Sequence, residues 1–172
     1  TYIPDTIEEF YGKIPNSRKR RWRRDIRQLE KMSSSEVKIV CYRRLSDVNY
    51  LIDVACQIEK STYKRGITAG FTDSPVNRVL LEKAAGDGRL RAYILYVADK
   101  PCAFQFDVRY GKTQFTEFGS FDPRWGRGSP GMVLMIKVLE QLCRESEVSM
   151  MDYGFGHALY KSKFGTNHWL EE

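Results

Sequence analysis

Long apolar runs are missing from this chain. No stretch of its 172 residues approaches the ~20 consecutive apolar residues that a membrane-spanning helix needs. Histidine is scarce, with two copies, and the four cysteines (Cys41, Cys56, Cys102, Cys143) are widely scattered. They make no CxxC pair and no metal-ligand spacing, so no metal is expected. They read as buried thiols of a reducing, cytoplasmic compartment. Internal repeats, low-complexity segments and a secretory signal are also lacking, and the first residue is Thr1 rather than Met. The chain therefore reads as part of something longer. What is present is 42% hydrophobic and 13% aromatic residues, enough for one domain with a proper core.

The net charge of +6 is local. Eight basic residues (Arg18, Lys19, Arg20, Arg21, Arg23, Arg24, Arg27, Lys31) and two acids (Asp25, Glu30) fall between Arg18 and Lys31. The remainder holds 20 basic and 20 acidic residues and is neutral. The protein thus carries one basic segment. That segment reads as an amphipathic connector helix, a nucleic-acid contact or a contact for an anionic membrane surface.

Residues 1–15 are expected to be irregular, punctuated by Pro4, Gly12 and Pro15. A helix capped by Asn16 or Ser17 is predicted to run to about Met32, with Trp22, Ile26, Leu29 and Met32 on one face. Alternation predicts a strand over Val37–Tyr42. Helices follow after Ser46 or Asp47 and after Ser74-Pro75. Strands are predicted over Leu90–Ala98, Cys102–Tyr110 and Thr113–Ser120, joined by short turns at Asp99-Lys100 and Gly111-Lys112. A helix over Met132–Cys143, a strand over Val148–Tyr153 and a helical stretch around His157–Phe164 complete the order β-α-α-β-β-β-α-β-α.

The segment Ser120–Leu134, SFDPRWGRGSPGMVL, carries the most chemistry. A strand feeding a basic, glycine-rich loop and then a helix N-terminus is an anion-binding device. Free N–H groups emerge from the first helical turn, glycine lets a phosphate approach the backbone, and Arg124 and Arg127 add charge. Pyrophosphate-bearing cofactors bind loops of this kind.

The element order and the stretch FDPRWGRGSPGMVL resemble the GNAT N-acyltransferases: an α/β fold with a mixed, mostly antiparallel sheet flanked by helices. The family's spacing of Arg or Gln, two residues, Gly, one residue, Gly or Ala is not strictly kept, since Arg124 is followed by Gly126 and Gly128, with Gly131 one turn later. A second stretch, MDYGFGHALYKSKFG (Met151–Gly165), resembles a divergent branch of that family from bacterial polysaccharide and cellulose biosynthesis loci, itself similar to the Fem-type aminoacyltransferases. The residues that carry this likeness are Ser129-Pro130-Gly131, Asp152-Tyr153-Gly154, Tyr160-Lys161 and Phe164.

The resemblance implies a connector segment over residues 1–35 and an acyltransferase domain over 36–172, with a second GNAT-like half N-terminal to it. It implies acetyl-CoA or another acyl-CoA as co-substrate and an amine acceptor on an amino sugar, a cell-envelope precursor or a small molecule. Phe118, Gly119 and Phe121 would hold the pantetheine arm. Gly126, Arg127, Gly128, Ser129, Gly131 and Met132 would hold the pyrophosphate, with Arg124 on it or on the 3′-phosphate. Tyr160 reads as proton donor to the thiolate or as a core tyrosine. Asp152 reads as general base or as a cap on the turn at Gly154. Glu117 is a rival base if it points into the cleft, and His157 lies near the same site. Lys161 would contact the acceptor. The alternatives are a Fem-type transferase using aminoacyl-tRNA and a GNAT-like half that serves as a binding or scaffold module.

Overall fold

The computed structural model describes residues 1–34, 36–62, 70–154 and 164. Among the described residues five strands form one sheet in the order β1-β2-β3-β4-β5. They are β1 (Val37–Tyr42), β2 (Leu90–Val97), β3 (Lys100–Tyr110), β4 (Thr113–Phe121) and β5 (Met150–Asp152). The first four pair antiparallel, and β4 pairs with β5 in parallel. The tight β2–β3 connection needs left-handed backbone, and Ala98 (φ 50°) and Asp99 (φ 57°) supply it, as a two-residue hairpin turn requires. Gly111 (φ 58°) does the same between β3 and β4.

Helices cover both faces. On one face lie α1 (Ile7–Gly12), α2 (Asn16–Ser33) and α5 (Pro130–Glu145). They share a core with Tyr93, Leu95, Val97 and Ala103 of the sheet. On the other face α3 (Val48–Glu59) and α4 (Pro75–Gly86) enclose Ile94, Phe104, Phe106 and Val108. Alternate residues of β2 and β3 thus feed separate cores, as the period of two in a strand dictates. The architecture is the mixed, mostly antiparallel α/β sheet that the sequence implies.

The expectation for residues 1–15 is corrected. Ile7–Gly12 is helical because Thr6 caps it, its hydroxyl accepting from the Glu9 amide at 3.1 Å. Phe10 of this helix is buried. Ahead of it, Thr1–Ile3 runs antiparallel along β5. The Met151 amide donates to the Thr1 carbonyl at 2.8 Å and the Ile3 amide to the Ser149 carbonyl at 2.9 Å. On α2, Trp22 and Leu29 are buried as predicted, whereas Met32 is 38% exposed.

Candidate active site

Among the described residues, Thr113, Gln114 and Phe115 of β4 pair with β5. β5 then ends, and the chain turns at Gly154 (φ 69°), where an added Cβ would lie 3.1 Å from the Thr116 carbonyl oxygen. β4 runs on to Phe121. Just past the paired stretch β4 also carries an extra residue relative to β3: Phe106 faces Phe118 and Asp107 faces Thr116, so Glu117 is the bulged residue. Its side chain is exposed, and partial burial of the carboxyl raises its pKa.

Beyond β4 the glycine-rich segment is not an open loop. Pro123–Gly128 forms a 3₁₀ helix capped by Asp122, whose carboxylate accepts from the Arg124 amide at 2.9 Å. Asp122 is buried and holds the Arg124 guanidinium by Nε (2.9 Å) and an Nη atom (2.5 Å). Burial pushes the Asp122 carboxyl up, but its hydrogen bonds with Arg124 outweigh this and keep it below the usual range. Ser129 then adopts the left-handed conformation (φ 50°, ψ 53°), and Pro130 opens α5.

The turn has a closed side and an open side. On the closed side, a Cβ added to Gly128 would lie 2.4 Å from Leu29 Cγ and Cδ2. Residue 128 is therefore glycine because α2 crosses directly over it. The amides of Trp125, Ser129, Met132 and Val133 are spent within the turn, on the carbonyls of Asp122, Gly126, Ser129 and Ser129. On the open side, an added Cβ at Gly126 meets nothing within 4 Å, and Arg127 is exposed. The Gly131 amide has no acceptor among the described residues, and the half-exposed Phe121 ring lies beside this glycine. These open groups fit a diphosphate at the α5 N-terminus. Gly126, Arg127 and Gly131 carry these open groups. The exposed Arg20, Arg21, Arg23, Arg24 and Arg27 of α2 belong to the helix that closes the other side.

Of the remaining predicted site residues, Phe118 turns to the α3–α4 face and packs edge-on against Phe71, ring centroids 5.1 Å apart. Gly119 lies in register with Gln105 of β3. Asp152 ends β5, and its carboxylate accepts from the Gly154 amide at 2.8 Å, the turn-capping geometry. His157, Tyr160 and Lys161 lie outside the described residues.

Sequence reasoning missed a buried polar cluster on β3 and β4. Asp107 is fully buried. Its carboxylate accepts from Gln105 Nε2 (2.8 Å) and Gln114 Nε2 (2.6 Å). Gln114 also reaches the Tyr93 hydroxyl at 3.4 Å. Burial pushes the Asp107 carboxyl up, hydrogen bonds from Gln105, Gln114 and Thr116 oppose it, and the nearby Glu117 charge adds to the rise, leaving it at about 7. The run Phe104-Gln105-Phe106-Asp107-Val108-Arg109 reads as a strand with one wet face. The signal that this face is dry lay in α5, whose apolar surface covers it.

A family model described as acetyltransferase (GNAT) domain matches residues 16–162. No curated protein matches the chain. Among solved structures, an aminoglycoside acetyltransferase from an uncultured soil metagenomic sample, in complex with sisomicin, is similar at 14% identity and a TM-score of 0.55, over 79% of this chain and 91% of that one. A ribosomal-protein-alanine N-acetyltransferase from Brucella melitensis is similar at 10% identity and a TM-score of 0.54, over 79% and 95%. The C-terminal domain of a putative lysylphosphatidylglycerol synthetase from Agrobacterium fabrum aligns at 14% identity and a TM-score of 0.51, over 76% and 40%. At these identities the structures establish a shared fold. The family match spans most of the chain, from the basic helix through the glycine-rich turn, and the chain belongs to the GNAT acetyltransferases, acyl-CoA-dependent N-acyltransferases.

Proposed function

We propose that the protein transfers an acetyl or other acyl group from CoA to the amine of an amino sugar, a cell-envelope precursor or a small molecule, by direct attack of the amine on the thioester. The observation that carries this reading is the α5 N-terminus at the far end of β4, beyond the stretch Thr113–Phe115 that pairs with β5. We place an extended pantetheine arm along β4 beside Phe118, Gly119 and Phe121. A helix N-terminus with Gly126, Arg127 and Gly131 suits a diphosphate. Met132 and Ser129 border that seat, and Arg124 reaches it with the guanidinium edge that Asp122 does not hold. Glu117 at the β4 bulge and Asp152 at the end of β5 are candidates for the proton-removing group, with His157. Tyr160 is proposed as donor to the departing thiolate and Lys161 as an acceptor contact. The amino-sugar class is favoured by the likeness to an aminoglycoside acetyltransferase.

A second reading, a Fem-type transfer from aminoacyl-tRNA in the polysaccharide-locus branch, is favoured by one observation. The arginine face of α2 is exposed on the helix that crosses the turn. No described helix is long and apolar enough to cross a membrane, and we place the reaction in the cytoplasm. Thermal unfolding separates the readings. A ligand held at a hundred times its Kd adds about 2.7 kcal/mol to the folded state. Acetyl-CoA is expected to raise Tm and free CoA to do so in part. A rise with charged tRNA and none with any acyl-CoA would favour the second reading, and no rise with either would leave a scaffold role.

A further inference from the structure

Between α1, α2 and α5 lies a groove of about 430 Å³, within the range of a small-ligand site. Its apolar walls are Ile7 of α1, Trp22 and Ile26 of α2 and Ile136 of α5. Ile7 and Ile26 are half-buried, so apolar surface faces the opening. The walls are held in place from behind. The Trp22 ring stacks on the rings of Phe10 and Phe164, with centroids 6.3 and 5.6 Å away. Tyr11, also in the lining, donates its hydroxyl hydrogen to Glu140. The charged residues of the lining are Lys19 and Arg23 of α2 and Glu8 of α1, all exposed or half-exposed. Neither Lys19 nor Arg23 has an ion pair among the described residues.

Arg23 joins the groove to the outer face of α2. At about 100° and 1.5 Å per residue, Arg20, Arg24, Arg27 and Lys31 fall within roughly 60° of one another, in a row about 16 Å long. Arg23 lies between that row and the groove. All five are exposed. Arg24 approaches the buried Asp25 at 3.7 Å, whereas Arg20, Arg27 and Lys31 have no ion pair among the described residues. An arginine row alone would suit any polyphosphate. The groove decides between them. A nucleic-acid backbone has no hydrocarbon to place in it, and among the described residues this face exposes no aromatic ring on which a base could stack.

We propose that this surface docks the protein on an anionic phospholipid bilayer, with headgroup phosphates on the arginine row and one acyl chain in the groove. The guanidinium groups meet the phosphates through charge-assisted hydrogen bonds. The chain covers Ile7, Trp22, Ile26 and Ile136, and the phosphate of the same lipid lies on Lys19 and Arg23. Glu8 repels a phosphate on the α1 side and so leaves the α2 side as its seat. The contact is peripheral, because Trp22 and Leu29 turn the apolar side of α2 into the core.

Flotation with vesicles of phosphatidylcholine, with and without phosphatidylglycerol, tests the docking. Wild type is expected to float with the phosphatidylglycerol vesicles alone and to be released by ~0.5 M salt. Each arginine at an anionic surface strengthens partitioning about fivefold, so R20Q/R23Q/R27Q is expected to bind roughly a hundredfold more weakly. Its Tm should match wild type, since these side chains are exposed and unpaired. Phospholipid brominated on its acyl chains is expected to quench tryptophan fluorescence in wild type and much less in W22F. Dihexanoylphosphatidylglycerol is expected to raise the wild-type Tm where glycerol 3-phosphate does not, an arm that stands even where W22F fails to fold. Equal flotation with both vesicle types or with neither, or wild-type binding by the triple variant, overturns the docking. Equal Tm rises with the lipid and with glycerol 3-phosphate, or undiminished quenching in a folded W22F, overturn it by emptying the groove. Binding of duplex RNA without flotation overturns it and gives the face to nucleic acid.

Discussion

The ionised form of Asp107 opposes folding, and the sign of its pKa shift shows the direction. In the folded chain it keeps its proton until about pH 7, because burial opposes the carboxylate. In the unfolded chain it gives the proton up in the ordinary carboxylate range. Between those values the folded state binds more protons, so stability falls as pH rises through this window and levels off above about 7. D107N removes the ionisation while keeping the volume, and Gln114 can meet the new amide by turning its unpartnered Oε1 towards it. Urea unfolding at pH 5, 6, 7 and 8 is expected to show wild-type stability declining across the series and a flatter D107N. A decline of the same size in the variant would mean that another group carries it. The residue itself was visible in the sequence, but its burial was not. Gln105, Asp107 and Arg109 alternate with apolar neighbours as any half-wet strand does, and only the placement of α5 makes that face dry.

At the scale of elements, the decisive contact joins α2 to the 3₁₀ helix after β4. The Gly128 backbone lies against Leu29, which is fully buried. This contact links residues about a hundred positions apart, which no local pattern encodes. The glycine-rich stretch was legible as a turn before a helix. Its 3₁₀ form was legible only in part, through Asp122 as cap and Pro123 at the first turn. The two glycines of the turn now separate by role. G128A drives a methyl into Leu29 and is expected to cost about 1–3 kcal/mol, the range for overpacked sites. G126A adds a methyl to open space and is expected to leave unfolding almost unchanged while weakening acetyl-CoA stabilisation by crowding the diphosphate seat. Chemical unfolding with and without acetyl-CoA reads both effects. Equal stability losses in the two variants would mean that α2 does not press on the turn. The basic helix itself was readable as an amphipathic element from Trp22, Ile26 and Leu29. Its seat on the turn was not.

For the whole molecule the question is whether the first 33 residues are an appendage or part of the body. The sequence suggests a connector, because the acyltransferase pattern begins at the first predicted strand. The structure places Phe10, Trp22 and Leu29 in the same core as Val133, Leu134, Ile136 and Leu139 of α5. α1 adds a polar clasp, with the Tyr11 hydroxyl donating to Glu140. Thr1–Ile3 lies along β5, the strand that frames the candidate site. Taking these residues away uncovers one whole face of α5 and leaves Gly128 without its neighbour. The hydrophobic loss is spread over many side chains, each worth on the order of 1.5–3 kcal/mol when fully buried, against a total stability of about 5–15 kcal/mol. A chain beginning at Ser34 is therefore expected to lose cooperative unfolding and near-ultraviolet dichroism while keeping much of its secondary structure, the signature of a compact state with loosened packing. The full chain should show one sharp transition with coincident far- and near-ultraviolet traces. A shortened chain that unfolds as sharply as the full one would make α1 and α2 an accessory layer.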